Sequence, residues 1–161
     1  MRLIRTLAAT LFLGFAACSP AAHDGAAAAS PRHSVHPESG LAVVPLTVRS
    51  GRKVHRFSVE VAATQREQAK GLMFRREMGA DEGMIFPMKP ARPAAFWMRN
   101  TVIPLDIIFI GTDRRILNIA ADAVPYDETP LPSSGLAGAV LELNGGRAAE
   151  LGIRPGDTVE W

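Results

Sequence analysis

The sequence predicts an all-β domain of sandwich, jelly-roll or barrel type, with one short helix. Three observations predict it. Phe57, Val59 and Val61 alternate with Arg56, Ser58 and Glu60, the period-two pattern of a half-buried strand. Residues 105–110, Leu-Asp-Ile-Ile-Phe-Ile, are apolar on both faces and read as a central strand. The 12 prolines and 14 glycines fall mostly between short apolar runs, the punctuation of many short strands.

The N-terminus reads as a leader. Arg2 and Arg5 precede an apolar run over residues 7–17, which is too short to span a bilayer as a helix of about 20 residues. The ending Phe15-Ala16-Ala17-Cys18 resembles the lipobox of bacterial lipoproteins, with Phe15 where Leu is usual. That resemblance implies an export signal over residues 1–18 and a lipid on Cys18. An ordinary signal, with Cys18 removed or left as a free thiol, is the alternative. Residues 19–40 hold almost no large apolar side chain and read as a flexible tether. A coil of that length reaches roughly 25 Å. His23, His33 and His36 lie in it, and on a mobile segment they read as solvated.

The domain is expected over residues 41–161. Leu46-Thr47-Val48 opens it, and a Ser50-Gly51 turn leads into the alternating strand. Thr64-Gln65-Arg66-Glu67 is a capping box, and Gly71 supplies a stop, which predicts a helix over residues 65–70. Two turns are too few to be stable alone, so this helix must pack on something. Apolar runs follow at residues 83–86, 94–98, 105–110, 115–120, 139–143 and 158–161. Gly111-Thr112-Asp113 reads as a hairpin turn and residues 147–151 as a brief helical turn.

Charge and cysteine exclude several functions. Without Arg2 and Arg5 the basic residues balance the 16 acidic ones, so no nucleic-acid partner is expected. Residues 49–99 are basic and residues 100–161 acidic, which reads as two halves pairing with each other, or else as a basic patch for an anion. Cys18 is the only cysteine. An intrachain disulfide, a thiolate zinc site and a Cys-x-x-Cys motif are therefore impossible.

Several segments together carry a family resemblance. They are Gly71-Leu72-Met73-Phe74-Arg75, Gly83-Met84-Ile85-Phe86 and Phe96-Trp97-Met98-Arg99-Asn100-Thr101, with Pro104-Leu105-Asp106 after it. Leu141-Glu142-Leu143-Asn144-Gly145-Gly146 and Gly156-Asp157 complete the pattern. It resembles the bacterial domain-of-unknown-function family 192, over roughly residues 45–161. Arg99 stands where Lys is commoner, which keeps the charge and adds bidentate pairing. The resemblance implies a compact sandwich or jelly-roll fold, often behind an export signal, and no established reaction.

Candidate chemistry centres on residues 97–106. Asp106 shares a strand face with Ile108 and Ile110, where a carboxylate is costly unless paired. It reads first as a latch on the 99–103 loop, through backbone amides or Arg99. Alternatively Trp97, Arg99, Asn100 and Asp106 line a ligand pocket, with the indole as a stacking face. Glu142 is an additional candidate, either as an exposed strand residue or facing Asp106 as a glycosidase-like carboxylate pair. Arg66, Arg75 and Arg76 read as solvated or as ion-pairing residues for Asp81, Glu82 or the acidic half, with anion binding as the alternative. His55 is the domain's only histidine and reads as a sheet-margin residue. Met73, Met78, Met84, Met88 and Met98 read as core filling, with a soft-metal site as the rival. No metal site or cofactor is expected.

These readings combine into a non-catalytic envelope binding module for a small polar ligand or a protein partner. It would be periplasmic and held to the membrane through Cys18. A small hydrolase using Asp106 and Glu142, and a purely structural envelope lipoprotein, are the alternatives.

Overall fold

The computed structural model describes residues 34–161. The expected leader, Cys18 and the first part of the expected tether lie outside the described residues. The domain is mainly β, one curled half-barrel sheet with two short helices.

Strand β1 (Ser34–Val35) pairs with β2 (Ala42–Ser50), and β2 forms a hairpin with β3 (Lys53–Val61). Gly51 turns that hairpin at a φ of 58°, which glycine adopts without a Cβ penalty. β3 then pairs in parallel with β4 (Glu82–Phe96). Parallel neighbours cannot be joined by a tight turn, so the chain crosses over through residues 62–81. That crossover contains α1 (Gln65–Lys70), which is laid over the outer face of the sheet. β5 (Leu105–Gly111), β6 (Ile116–Ala123) and β7 (Leu131–Asn144) complete the order β4-β7-β5-β6, all antiparallel. After α2 (Arg147–Leu151), β8 (Thr158–Glu160) pairs with β2, and Thr158 also bridges Arg115 just before β6. This bridge draws the two ends of the sheet together and curls it.

Curling gives the sheet two buried faces. The concave face holds Leu46, Val48, Phe57, Val59, Ile85, Ile108, Ile110, Leu141 and Val159. The convex face holds Leu72, Met84, Phe86, Met88, Ile107, Phe109 and Val140. β5 alternates between them and is buried at every position, as its doubly apolar sequence predicts.

The tether assignment needs correcting. Residues 34–40 form β1 and a turn closed by the Gly40 amide on the His36 carbonyl at 2.8 Å, so the fold begins before Leu41. Its anchor is polar. Arg75 reaches Glu60 at 2.9 Å and Glu38 at 3.1 Å, Ser39 bonds Glu60, and His36 stands 3.7 Å from Glu60. Arg75 and Glu60 are both buried, and no apolar pattern in residues 34–40 announces such an attachment.

α1 forms where its capping box places it. The Thr64 hydroxyl accepts from the Glu67 amide at 3.3 Å, and the Glu67 carboxylate accepts from the Ala63 and Thr64 amides at 2.8 Å each. Those backbone bonds hold the Glu67 carboxyl below its ordinary pKa. Gly71 ends the helix at a φ of 48°, and a Cβ there would lie 3.4 Å from the Phe86 ring. Its glycine lets the helix end settle on that ring.

Candidate functional site

Beneath α1 the convex face is not fully filled. A cavity of about 350 Å³ lies between α1, the second half of β4 and the 97–101 loop. Leu72, Phe86, Met88 and Phe96 wall it, with Thr101 and Glu142 as its buried polar lining. Phe96 stands edge-on to Phe86 at 5.1 Å and to Phe109 at 6.1 Å, so the aromatic wall is fixed by its own packing. The exposed side chains of Lys70, Arg92, Trp97 and Arg99 form the outer rim.

Glu142 is the unusual member. Across the ladder it pairs with Met84 on β4 and Ile107 on β5, and paired residues share a face. The carboxyl therefore enters the convex layer. Its residue is 6 % exposed and has no hydrogen-bond or ion-pair partner among the described residues. Burial pushes its pKa up to about 8 from an ordinary 4.5, so it is mainly neutral at physiological pH. The carboxyl opens onto the cavity and makes no bond to the protein among the described residues, so its hydrogen-bonding capacity is left to whatever occupies that space.

Asp106 is placed differently. It pairs with Leu143, one residue beyond Glu142, and therefore faces the concave side. One carboxylate oxygen accepts from the Asp122 amide at 2.8 Å and the Gly146 amide at 3.0 Å. The other accepts from the Ala148 amide at 2.7 Å. Asp106 is a latch, as expected, but it holds the end of β6 and the start of α2, not the 99–103 loop. The expected carboxylate pair is corrected: Asp106 and Glu142 lie on opposite faces of the sheet, which removes the two-carboxylate hydrolase.

The other candidates divide between the cavity and the surface. Trp97 is 48 % exposed at the rim, while its neighbour Phe96 turns inward, as alternation predicts. Arg99 stacks on the Trp97 ring at 4.4 Å and makes a two-pronged contact with Glu128 at 2.6 and 3.0 Å. That bond raises the guanidinium pKa and lowers the Glu128 carboxyl. Asn100 does not line the cavity. It is exposed at a φ of 54°, its carbonyl accepts the Phe74 amide at 2.9 Å, and its side-chain amide is 3.8 Å from the Met73 sulfur. Met84, Met88 and Met98 are buried apolar filling. His55 has a buried Nε2 without a partner, on the concave side opposite Val48.

Lys70 and Arg92 are cavity residues that the sequence did not single out, while Phe86, Met88 and Phe96 read there only as motif or core residues. The parallel β3–β4 pairing, which brings α1 over β4, was not readable in local pattern. Arg75 was expected to meet Asp81, Glu82 or the acidic half and instead meets Glu60 and Glu38. Other pairs do join the two halves: Arg99 with Glu128, Arg49 with Glu160, and Arg147 with Asp81.

A second concavity, of about 360 Å³, lies between residues 38–41 and α1. Its buried charge, Arg75, is already satisfied by Glu60 and Glu38. The cavity over Glu142 is the stronger candidate because its carboxyl is not.

Comparisons with known proteins fit this architecture. A structure from Novosphingobium aromaticivorans, of a protein of unknown function, is 65 % identical and superposes with a TM-score of 0.79. The match covers 80 % of this chain and 92 % of that one. A structure from Sinorhizobium meliloti, described as a candidate transcription regulator, is 38 % identical with a TM-score of 0.73, covering 74 % of this chain and 94 % of that one. No curated protein matches. The family model of DUF192, an uncharacterized ACR family, matches residues 46–161. The chain belongs to the DUF192 family.

Proposed function

We propose that this domain is a non-catalytic module that binds a small molecule in the cavity over Glu142. One observation carries the reading: the carboxyl of a residue only 6 % exposed opens onto a concavity of about 350 Å³ and makes no bond to the protein among the described residues. That volume is at the lower end of the range for small-molecule sites, about 300–1,000 Å³. A ligand group that bonds the carboxyl offsets a desolvation cost the folded protein already bears. Binding is favoured over catalysis because the cavity lining offers no histidine, cysteine or second carboxyl to work with Glu142.

The regulator description of the Sinorhizobium relative does not transfer readily. The described helices span 6 and 5 residues, too short to lie along a major groove as recognition helices do. The export-type leader and Cys18 support an envelope location, with the module tethered outside the cytoplasm by a lipid.

Phenol is a suitable neutral probe. Methyl NMR of the full chain should show saturable shifts at Leu72, Met88 and Ala94, and Ala95→Trp at the cavity wall should abolish them. Saturable shifts confined to other methyls, or none at all with phenol, would overturn the reading.

A further inference from the structure

We infer that the cavity selects an aromatic carboxylic acid bearing a hydroxyl at the end opposite its carboxylate. The inference rests on the binding reading above and adds the ligand class, from three zones of different chemistry.

The inner zone is polar but uncharged. Glu142 is bonded to nothing, and its burial keeps it protonated below a pH of about 8. A protonated carboxyl both donates and accepts, which matches a hydroxyl, while a cation would have to enter past the Lys70 and Arg92 rim. In the same lining, the Thr101 hydroxyl donates to the Arg99 carbonyl at 3.3 Å, and its own lone pairs stay available to a ligand donor.

The middle zone is apolar and flat. Phe86 and Phe96 present ring surfaces at right angles to one another, with Met88 and Leu72 beside them. An aromatic ring packs against such an arrangement edge-to-face or offset, and the Met thioether adds a sulfur–ring contact.

The outer zone is cationic. Lys70 and Arg92 line the cavity and are in no ion pair among the described residues. Arg99 is neutralised by Glu128. Glu142 is the only acidic residue in the lining. The nearest other buried acid on that face, Glu60 on β3, is paired with Arg75. The rim therefore attracts an anion and repels a cation. Charge outside, ring between and hydroxyl inside fix both the class of ligand and its direction of entry.

Calorimetry on the full chain near neutral pH tests this with para-hydroxyphenylacetate, phenylacetate and tyramine. Para-hydroxyphenylacetate should bind at least roughly tenfold more tightly than phenylacetate, which lacks the hydroxyl, or tyramine, which carries a cation. Glu142→Gln keeps a neutral donor and acceptor and should retain that affinity within about threefold, while Glu142→Leu should erase the preference over phenylacetate. A Lys70→Glu, Arg92→Glu double variant, altered only at the exposed rim, should erase the preference over tyramine. Equal binding of phenylacetate, or tighter binding of tyramine, would overturn the ligand class and leave the binding reading standing. Phenol occupying the cavity while none of the three compounds binds would do the same. Absence of phenol from the cavity removes the binding reading itself.

Discussion

Glu142 on β7 stands directly opposite Ile107 on β5, and that register carries its carboxyl into the layer beneath α1. One residue along, Asp106 pairs with Leu143 and points the other way. Two acids that look alike in the sequence thus have opposite fates. One is saturated by three backbone amides, and the other is left facing a cavity.

Asp106 ties β5 to the end of β6 and to α2. Asparagine has one acceptor oxygen in place of two and turns an amide donor toward backbone donors. Asp106→Asn should destabilise the domain by about 3 kcal/mol, since it strands at least one buried amide. Chemical denaturation checks this, and a loss below about 1 kcal/mol would mean that the latch carries little of the fold's stability.

Arg75 anchors residues 34–40 through Glu38 and Glu60. Arg75→Met leaves Glu60 buried without its main cation and should cost about 3–5 kcal/mol. Converting Glu60 to Gln in the same chain should recover part of that loss, because the uncompensated charge is then gone. Equilibrium unfolding of the single and double variants gives the comparison, and identical losses in both would argue against the pair.

Gly83 allows β4 to lie close against β7. A Cβ there would sit 2.5 Å from the Glu142 carbonyl oxygen and 2.9 Å from a Leu143 methyl. Gly83→Ala should therefore cost at least about 2 kcal/mol, because backbone has to move. A shifted melting temperature with altered Glu142 and Leu143 amide resonances is the expected signature.

The envelope proposal has its own test. Cys18→Ser in the full-length protein should move it from the membrane fraction to the soluble fraction and remove the mass of the lipid. Unchanged fractionation and mass would contradict lipid attachment.

Much of the fold was legible because it depends on local chemistry. The capping box at Thr64 and Glu67, the doubly apolar 105–110 strand and the short helix at residues 147–151 all lie where the sequence puts them. The cavity was legible only in part. Trp97, Arg99 and Glu142 line it, but Asn100 and Asp106 do not. Alternation gives the relative faces of residues within one strand, yet the face shared by residues on two strands depends on register, which local pattern leaves open. The β1 attachment was hidden for another reason. It rests on the charged pair of Arg75 with Glu60 and Glu38, not on apolar periodicity.

Glu142 makes no bond to the protein among the described residues in the proposed ligand cavity, and burial keeps it protonated near neutral pH. Carboxyl-carbon NMR of the native protein, resolved against Glu142→Gln, measures this directly. The raised pKa means that the folded state holds a proton the unfolded chain releases from about 4.5 upward. Stability from this group is thus full below that value and lost as pH rises through about 8. The expected result is a Glu142 midpoint near 8, with Glu142→Gln becoming progressively more stable than the native protein up to that pH. A midpoint near 4.5, with no growing advantage for the variant, would contradict it.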